Sequence, residues 1–136
     1  MELMTWKPAY VIGIELVDEH HQRLFELVNQ LHRALLAGGG REAVDVALKA
    51  LLEYTTYHFG AEEELMRSIG YPGLEEHRRQ HAALVEKTLE MVGRYQKGDQ
   101  EVSMPLVHFV KEWLYEHTTT SDRKIGRFLQ GLNKSA

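Results

Sequence analysis

Two stretches of this sequence place metal-binding residue types four positions apart on the apolar face of a helix. The segment YTTYHFGAEEELM contains His58 and Glu62, and the segment LEEHRRQHAAL contains His77 and His81. Positions four apart lie about 40° apart around a helix and one turn apart along it, so both side chains of a pair can point at one centre. Because two such pairs occur, both on apolar faces, the sequence favours a metal site inside a helical protein over chance surface pairs.

Apolar residues elsewhere recur at steps of three and four, the spacing of helices with one buried face. The predicted helices cover residues of about 18–37, 41–68, 74–96 and 103–118. Four helices of this length with short connections form an up-down-up-down bundle. We therefore expect an all-α four-helix bundle in a single domain spanning 1–136, with an extended N-terminal arm over 1–16 and a short C-terminal helical tail over 119–136.

The arm is recognised by Pro8 and Gly13 and by the absence of a helical repeat among its mixed apolar residues. We expect Trp6 and Ile12 to anchor it across the domain. The glycine run at 38–40 is expected to end the first helix.

Composition excludes several classes of function. The net charge of −4 argues against nucleic acid as a partner, because phosphate binding needs a clustered basic face. The sequence has no cysteine, so a metal would be held by His, Asp or Glu, ligands that suit iron, manganese or zinc. No segment approaches the ~20 apolar residues of a membrane span, and the N-terminus lacks a signal-peptide pattern. We expect no membrane span and a cytoplasmic location.

The remaining histidines divide by their position around each helix. His21 falls on the apolar stripe of the first helix, whereas His20 is rotated by about 100° and is expected to be solvent-exposed. His32 lies roughly 16 Å farther along that helix, too far to share a metal with His21. In the fourth helix His117 lies on the stripe and His108 does not. His21 and His117 therefore join the candidate ligands.

Asp122 lies five residues after His117, about 140° around an ideal α-helix, so the two converge only if the backbone departs from α geometry. Thr118, Thr119 and Thr120 are β-branched and weakly helix-favouring, which would allow a π-type bulge or a local break. In the alternative, Asp122 caps a short C-terminal helix. Residue spacing leaves both possibilities open.

The inward-facing polar residues come from all four predicted helices: His21, His58, Glu62, His77, His81, His117 and Asp122. As HxxxE, HxxxH and HxxxxD motifs after a DEHH segment, this set resembles the hemerythrin family, and more closely the single-domain bacteriohemerythrins. Neighbouring residues extend the resemblance over nearly the whole chain: Leu24, Phe25, Phe59, Met66, the Gly70-Tyr71-Pro72 turn, Trp113 and Leu114.

This resemblance implies a non-haem centre of two iron ions. The histidines would divide as His77, His81 and His117 on one iron, and His21 and His58 on the other. Glu62 and Asp122, together with an oxo or hydroxo group, would bridge the two ions. If both ions are six-coordinate, one position beside the two-histidine group is left for a small ligand. In the family, dioxygen binds there.

The resemblance also assigns walls to an oxygen pocket: Leu24, Phe59, Trp113, Leu114 and Thr118. For the apolar residues, ordinary core packing is the alternative. Thr118 departs from the family, which usually has an aliphatic residue there. Its hydroxyl would hydrogen-bond the bound ligand or admit water, so long-lived oxygen binding is in question. His20 stands where the family commonly has Gln.

The sequence thus predicts reversible dioxygen binding for storage, sensing or delivery to an oxygen-consuming enzyme, by a monomer. We expect no appended signalling domain, which disfavours sensing. Five neutral imidazoles favour binding over oxidation, since oxygen-activating ferritin-type sites use mainly carboxylates. Three alternatives stay open: a di-iron enzyme or scavenger acting on peroxide or nitric oxide, an iron-storing or iron-sensing bundle, and a purely structural bundle. The last leaves Glu62 buried without a partner.

Overall fold

The computed structural model describes residues 2–37 and 41–135, and the secondary structure within them is helical. Its long helices are α1 (Glu15–Leu36), α2 (Arg41–Ser68), α3 (Leu74–Gln96), α4 (Ser103–His117) and α5 (Arg123–Ser135). The expected all-α four-helix bundle is confirmed. The break expected at the glycine run 38–40 lies outside the described residues.

Each of the first four helices packs against two others, α1 and α3 each lying against α2 and α4. One end of the bundle is filled by apolar side chains: Leu24, Leu27, Val28 and Leu31 of α1, Val44, Leu48 and Leu51 of α2, Met91 and Val92 of α3, and Leu106, Val107 and Val110 of α4. Burial of each such side chain stabilises the fold by about 1.5–3 kcal/mol. The other end carries the polar cluster. Within the described ranges, no helix is both long and apolar enough to cross a membrane.

The N-terminal arm is held by an aromatic contact and by a side-chain amide. Trp6 lies edge-on to Phe25, with the ring centroids 5.3 Å apart, and Ile12 is buried, so both expected anchors are confirmed. Asn29, buried in α1, accepts a hydrogen bond from the Met4 amide and donates one to the Met4 carbonyl, both at 2.7 Å. The arm is not extended throughout, because residues 8–10 form a 3₁₀ turn.

Helix α1 begins at Glu15, earlier than the sequence pattern predicted. Asp18 lies in its first turn, where a carboxylate is favoured by the helix dipole. The Asp18 carboxylate accepts hydrogen bonds from the amides of Ile12 at 2.8 Å and Gly13 at 3.2 Å. Gly13 has φ of 89°, a conformation that side-chain-bearing residues rarely adopt. The carboxylate thus ties the arm to the helix that follows it.

After α4 the backbone changes its helical pitch. Residues 118–122 form a π-helical turn, so the first of the two possibilities raised by the sequence is correct. Helix α5 continues directly from this turn and packs against the arm: Ile125 is fully buried, and the Arg123 guanidinium donates to the carbonyl of Ala9. Phe128 of α5 also contacts Tyr71, which lies in the turn between α2 and α3. The C-terminal tail therefore closes the polar end of the bundle.

We expect Gly126→Ala to lower the free energy of unfolding by about 1–3 kcal/mol, because a Cβ at this position would collide with the carbonyl oxygen of Ile12. Urea denaturation measures the change. Gly93→Ala is the control, since a Cβ there meets no heavy atom within 4 Å and Ala favours the helix by about 0.5–1 kcal/mol. Equal stability of the two variants would contradict the close approach of α5 to the arm.

Candidate metal centre

The polar end of the bundle brings together all of the predicted ligand side chains. Within it, the structure places two groups whose nitrogen and oxygen atoms lie within 4.8 Å of one another: Glu62, His77, His81, His117 and Asp122 in the first, and His21, His58, Glu62 and Asp122 in the second. Each of these side chains is buried. The two carboxylates belong to both groups.

Glu62 gives one oxygen to each group. Its Oε1 lies 2.6 Å from His77 Nε2 and 3.1 Å from His81 Nε2. Its Oε2 lies 3.2 Å from His58 Nε2 and 3.8 Å from His21 Nε2. The carboxylate therefore stands between the two sets of imidazoles, with one oxygen facing each.

Asp122 repeats this arrangement from the other side. Its Oδ1 lies 2.9 Å from His77 Nε2 and 3.1 Å from His117 Nε2, and its Oδ2 lies 2.9 Å from His21 Nε2. The π-helical turn makes this possible. A π turn takes more residues than an α turn, so a residue five positions after His117 returns to nearly the same face.

The buried atoms of the cluster are incompletely satisfied by one another. His21 Nε2, Glu62 Oε2 and Asp122 Oδ1 have no hydrogen-bond partner, although each lies close to other atoms of the cluster. These atoms belong to the two groups of side chains that could each surround a cation. Unpaired buried polar groups cost free energy, which a cation placed among them would offset.

The spacing of the atoms suits metal coordination. In an octahedral site with bonds of about 2.1 Å, neighbouring ligand atoms lie about 3 Å apart. His77 Nε2 and His117 Nε2 are 3.0 Å apart, and the carboxylate distances are similar. A set of imidazole and carboxylate donors suits iron, manganese or zinc. The residues present therefore fit a pair of cations that share two carboxylates.

Electrostatics in the chain alone favour protons on two of the imidazoles, those of His21 and His77. Burial lowers the pKa of His21 and His77, but the neighbouring Asp122 and Glu62 carboxylates outweigh burial and raise each to about 9. Burial raises the pKa of both carboxyls, yet the surrounding imidazoles hold them below their usual range. For His117, burial dominates and lowers its pKa. A cation entering the site replaces the protons shared between imidazoles and carboxylates.

Aromatic rings cover the three-histidine group. Phe59 stacks on His81 with the centroids 3.7 Å apart, and Trp113 stacks on His117 at 4.2 Å. Phe59 is also 5.9 Å from His58. These two predicted pocket residues therefore lie mainly over the histidines opposite the two-histidine group.

The other predicted pocket residues are buried near the cluster. Leu24 and Leu114 belong to the apolar core, and Thr118 is 1% exposed directly after His117. That these residues line an oxygen pocket stays a prediction.

His20 is not exposed as the sequence predicted, since it is only 5% accessible. The rotation of about 100° that takes it off the α1 stripe turns it towards α2, where it lies against the rings of Tyr54 and Tyr57. Its Nδ1 lies 2.9 Å from the Nδ1 of His58. Burial, and secondarily the neighbouring His58, lower the pKa of His20. The helical wheel of α1 alone could not reveal the neighbouring helix that covers this side.

Glu63 was not singled out from the sequence. Its Oε2 lies 2.9 Å from His81 Nδ1, and its other oxygen lies 3.5 Å from Arg78 Nε. Its position beside Glu62 was the available signal, but a carboxylate about 100° off the buried stripe is ordinarily solvated. The close packing of α2 on α3 gives it a partner.

Comparison with known proteins agrees with this geometry. A family model described as the hemerythrin HHE cation binding domain matches residues 12–129. The bacteriohemerythrin of Stenotrophomonas maltophilia is 34% identical over 123 residues, covering 90% of this chain and 79% of its own length. The bacteriohemerythrin of Methylococcus capsulatus is 32% identical over 127 residues, covering 93% and 96% respectively.

Solved structures give the same result at the level of the backbone. The structure of a wild-type hemerythrin superimposes with a TM-score of 0.85 at 32% identity, covering 93% of this chain and 98% of that chain. A variant of a hemerythrin superimposes with a TM-score of 0.87 and covers 95% of this chain. With the shared helical scaffold, the matched family model and the two overlapping groups of ligand atoms in place, this chain belongs to the hemerythrin family.

Proposed function

We propose that this protein binds dioxygen reversibly at a non-haem di-iron centre. One observation carries the proposal. Glu62 and Asp122 each direct one carboxylate oxygen towards the three-histidine group and the other towards the two-histidine group. Two carboxylates shared in this way could each bridge a pair of metal ions. His77, His81 and His117 would hold one iron, and His21 and His58 the other. An oxo or hydroxo group would complete the bridge.

The inequality of the two histidine groups supports binding of a small ligand. The three-histidine group has one donor more than the two-histidine group, so two six-coordinate ions held here would leave a position for an external ligand beside His21 and His58. Iron held by these residues would supply the electrons for reversible binding of dioxygen. The side chains hold the ions in place and, being buried, limit the access of bulk water.

The balance of donor atoms favours binding over oxidation. Five imidazoles and two carboxylates bring less negative charge than the carboxylate-rich sites of ferritin-like proteins, so high-valent iron is less stabilised. Storage or delivery of oxygen to an oxygen-consuming enzyme follows from reversible binding, and sensing is a further use of the same site. A monomeric state, a cytoplasmic location and delivery to an oxygen-consuming enzyme stay predictions.

A second candidate is an enzyme or scavenger that acts on peroxide or nitric oxide at the same centre. The buried hydroxyl of Thr118, directly after His117, favours it, since a polar group there would stabilise a polar ligand or bring in a proton. Reversible binding of dioxygen, by contrast, needs no catalytic residue in the cluster.

Anaerobic loading with ferrous iron followed by exposure to air tests the proposal. We expect two irons per chain, a visible charge-transfer band on exposure, and loss of that band under vacuum. Turnover of peroxide or nitric oxide, with no release of oxygen under vacuum, would favour the second candidate. Labile metal without a stable oxygenated spectrum would instead indicate iron storage or sensing.

We expect Glu62→Gln to reduce bound iron well below two per chain, because the amide removes the negative charge and one of the two shared carboxylates. Iron analysis of the anaerobically loaded protein measures this. Glu64→Gln is the control: Glu64 is exposed on the same helix, pairs with Arg67, and should leave the iron content unchanged. Full iron loading of Glu62→Gln would contradict the bridging role.

We expect Thr118→Ile to slow oxidation of the oxygenated protein several-fold, because it replaces a buried hydroxyl with an aliphatic group. Thr118→Val serves as the isosteric companion, since adding a methylene in a packed site costs about 1–3 kcal/mol of stability. The decay of the charge-transfer band in air measures the rate. Equal or faster decay in both variants would show that the hydroxyl does not promote oxidation.

A further inference from the structure

Two buried histidines on neighbouring helices meet through the same ring atom. His20 Nδ1 and His58 Nδ1 are 2.9 Å apart, and the ring planes are nearly perpendicular, at 83°. A hydrogen bond between two ring nitrogens needs one N–H and one lone pair. One of the two histidines must therefore donate through Nδ1 and the other must accept, depending on which Nδ1 carries the proton.

The other ring nitrogen of His58, Nε2, determines which of the two histidines is the donor. His58 Nε2 faces the cluster, 3.2 Å from Glu62 Oε2, and a nitrogen that binds a cation uses its lone pair. A neutral imidazole carries one proton, so in metal-bound His58 it is on Nδ1. His58 then donates to His20, which accepts through Nδ1 and keeps its own proton on Nε2.

We propose that His20 is a positioning residue for the metal centre: it accepts the Nδ1–H of His58 and so sets the tautomer and ring orientation with which His58 faces the iron. The inference rests on the proposed function, because it takes His58 as an iron ligand. Partners of this kind orient metal-binding histidines and raise their basicity. Of the two adjacent histidines, His21 belongs to the groups of candidate ligands and His20 does not.

The surroundings of His20 hold the acceptor in place. Its ring lies 5.7 Å from that of Tyr54 and 5.3 Å from that of Tyr57, and it is nearly inaccessible to solvent. These contacts restrict the ring, so the acceptor lone pair is oriented before His58 binds a metal. His20 and its two tyrosines thus form a small support on α1 and α2 behind one ligand.

The three-histidine group has a different outer partner. There His81 Nδ1 faces the Glu63 carboxylate at 2.9 Å, a charged acceptor, whereas His58 faces a neutral ring. A charged acceptor draws more of the N–H proton and makes the imidazole a stronger donor to the metal. Loss of the His20 acceptor should therefore weaken one iron of the pair selectively.

Release of iron to a competing chelator tests the role of His20. In His20→Leu, which fills the buried site with an apolar side chain that has no acceptor, we expect one of the two irons to be lost about 10–100-fold faster. In His20→Gln, whose amide oxygen can accept the same proton, release should stay close to that of the unaltered chain. His32→Leu on the same helix is the control and should change neither iron.

The outcomes separate this role from a structural one. Unchanged release of both irons from His20→Leu, or equal acceleration of both, would overturn the proposal, as would a His20→Gln variant that behaves like His20→Leu. If the unaltered chain binds no iron pair, the proposed function itself fails. Urea unfolding of the iron-free variants measures any general loss of packing.

A measurement on the unaltered chain does not depend on any variant folding. In the zinc-loaded, nitrogen-15-labelled protein, a scalar coupling across the hydrogen bond between His20 Nδ1 and His58 Nδ1 is expected, with the proton assigned to His58. A proton assigned to His20 Nδ1, or no coupling, would overturn the inference.

Discussion

Two carboxylates buried among five imidazoles are the constraint on which the rest of this structure depends. Glu62 and Asp122 are each about 1% exposed, and an ionised carboxylate taken out of water needs several compensating partners. The structure supplies them by aiming ring nitrogens from α1, α2, α3 and α4 at both oxygens of each carboxylate. In the metal-bound protein, shared cations take over this compensation. The four-helix arrangement is therefore also the means of collecting the donors.

The bundle separates this polar cluster from the source of its stability. Leucine and valine side chains fill the opposite end, where α1 continues beyond His21 and α2 precedes His58. That apolar end can stabilise the fold while the polar end holds groups whose burial is unfavourable without a cation. The arm and α5 close around the polar end through Asp18, Arg123 and the Gly126 contact. One end of the helices thus supplies the candidate metal ligands, and the other end supplies most of the apolar packing.

The surroundings of the histidines differ between the two groups. Phe59 and Trp113 stack on His81 and His117, and Glu63 faces His81, so the three-histidine group is enclosed by rings and by a charged partner. His58 instead leans on the neutral His20. The two groups therefore differ both in the number of histidines and in the residues that surround those histidines. This agrees with the proposed function, in which one ion would be held by three histidines and the other would accept an external ligand.

The sequence by itself determined the helices, the fold class and the residue types of the cluster, because these follow from local periodicity: pairs such as His58 and Glu62 are four apart on an apolar stripe. The tertiary structure decided what depends on neighbouring helices and on departures from α geometry. The π turn brings Asp122 to the cluster, α2 buries His20, and α3 gives Glu63 its partner. A helical wheel describes one helix in isolation, whereas burial and hydrogen bonding at its flanks are set by the helices packed against it.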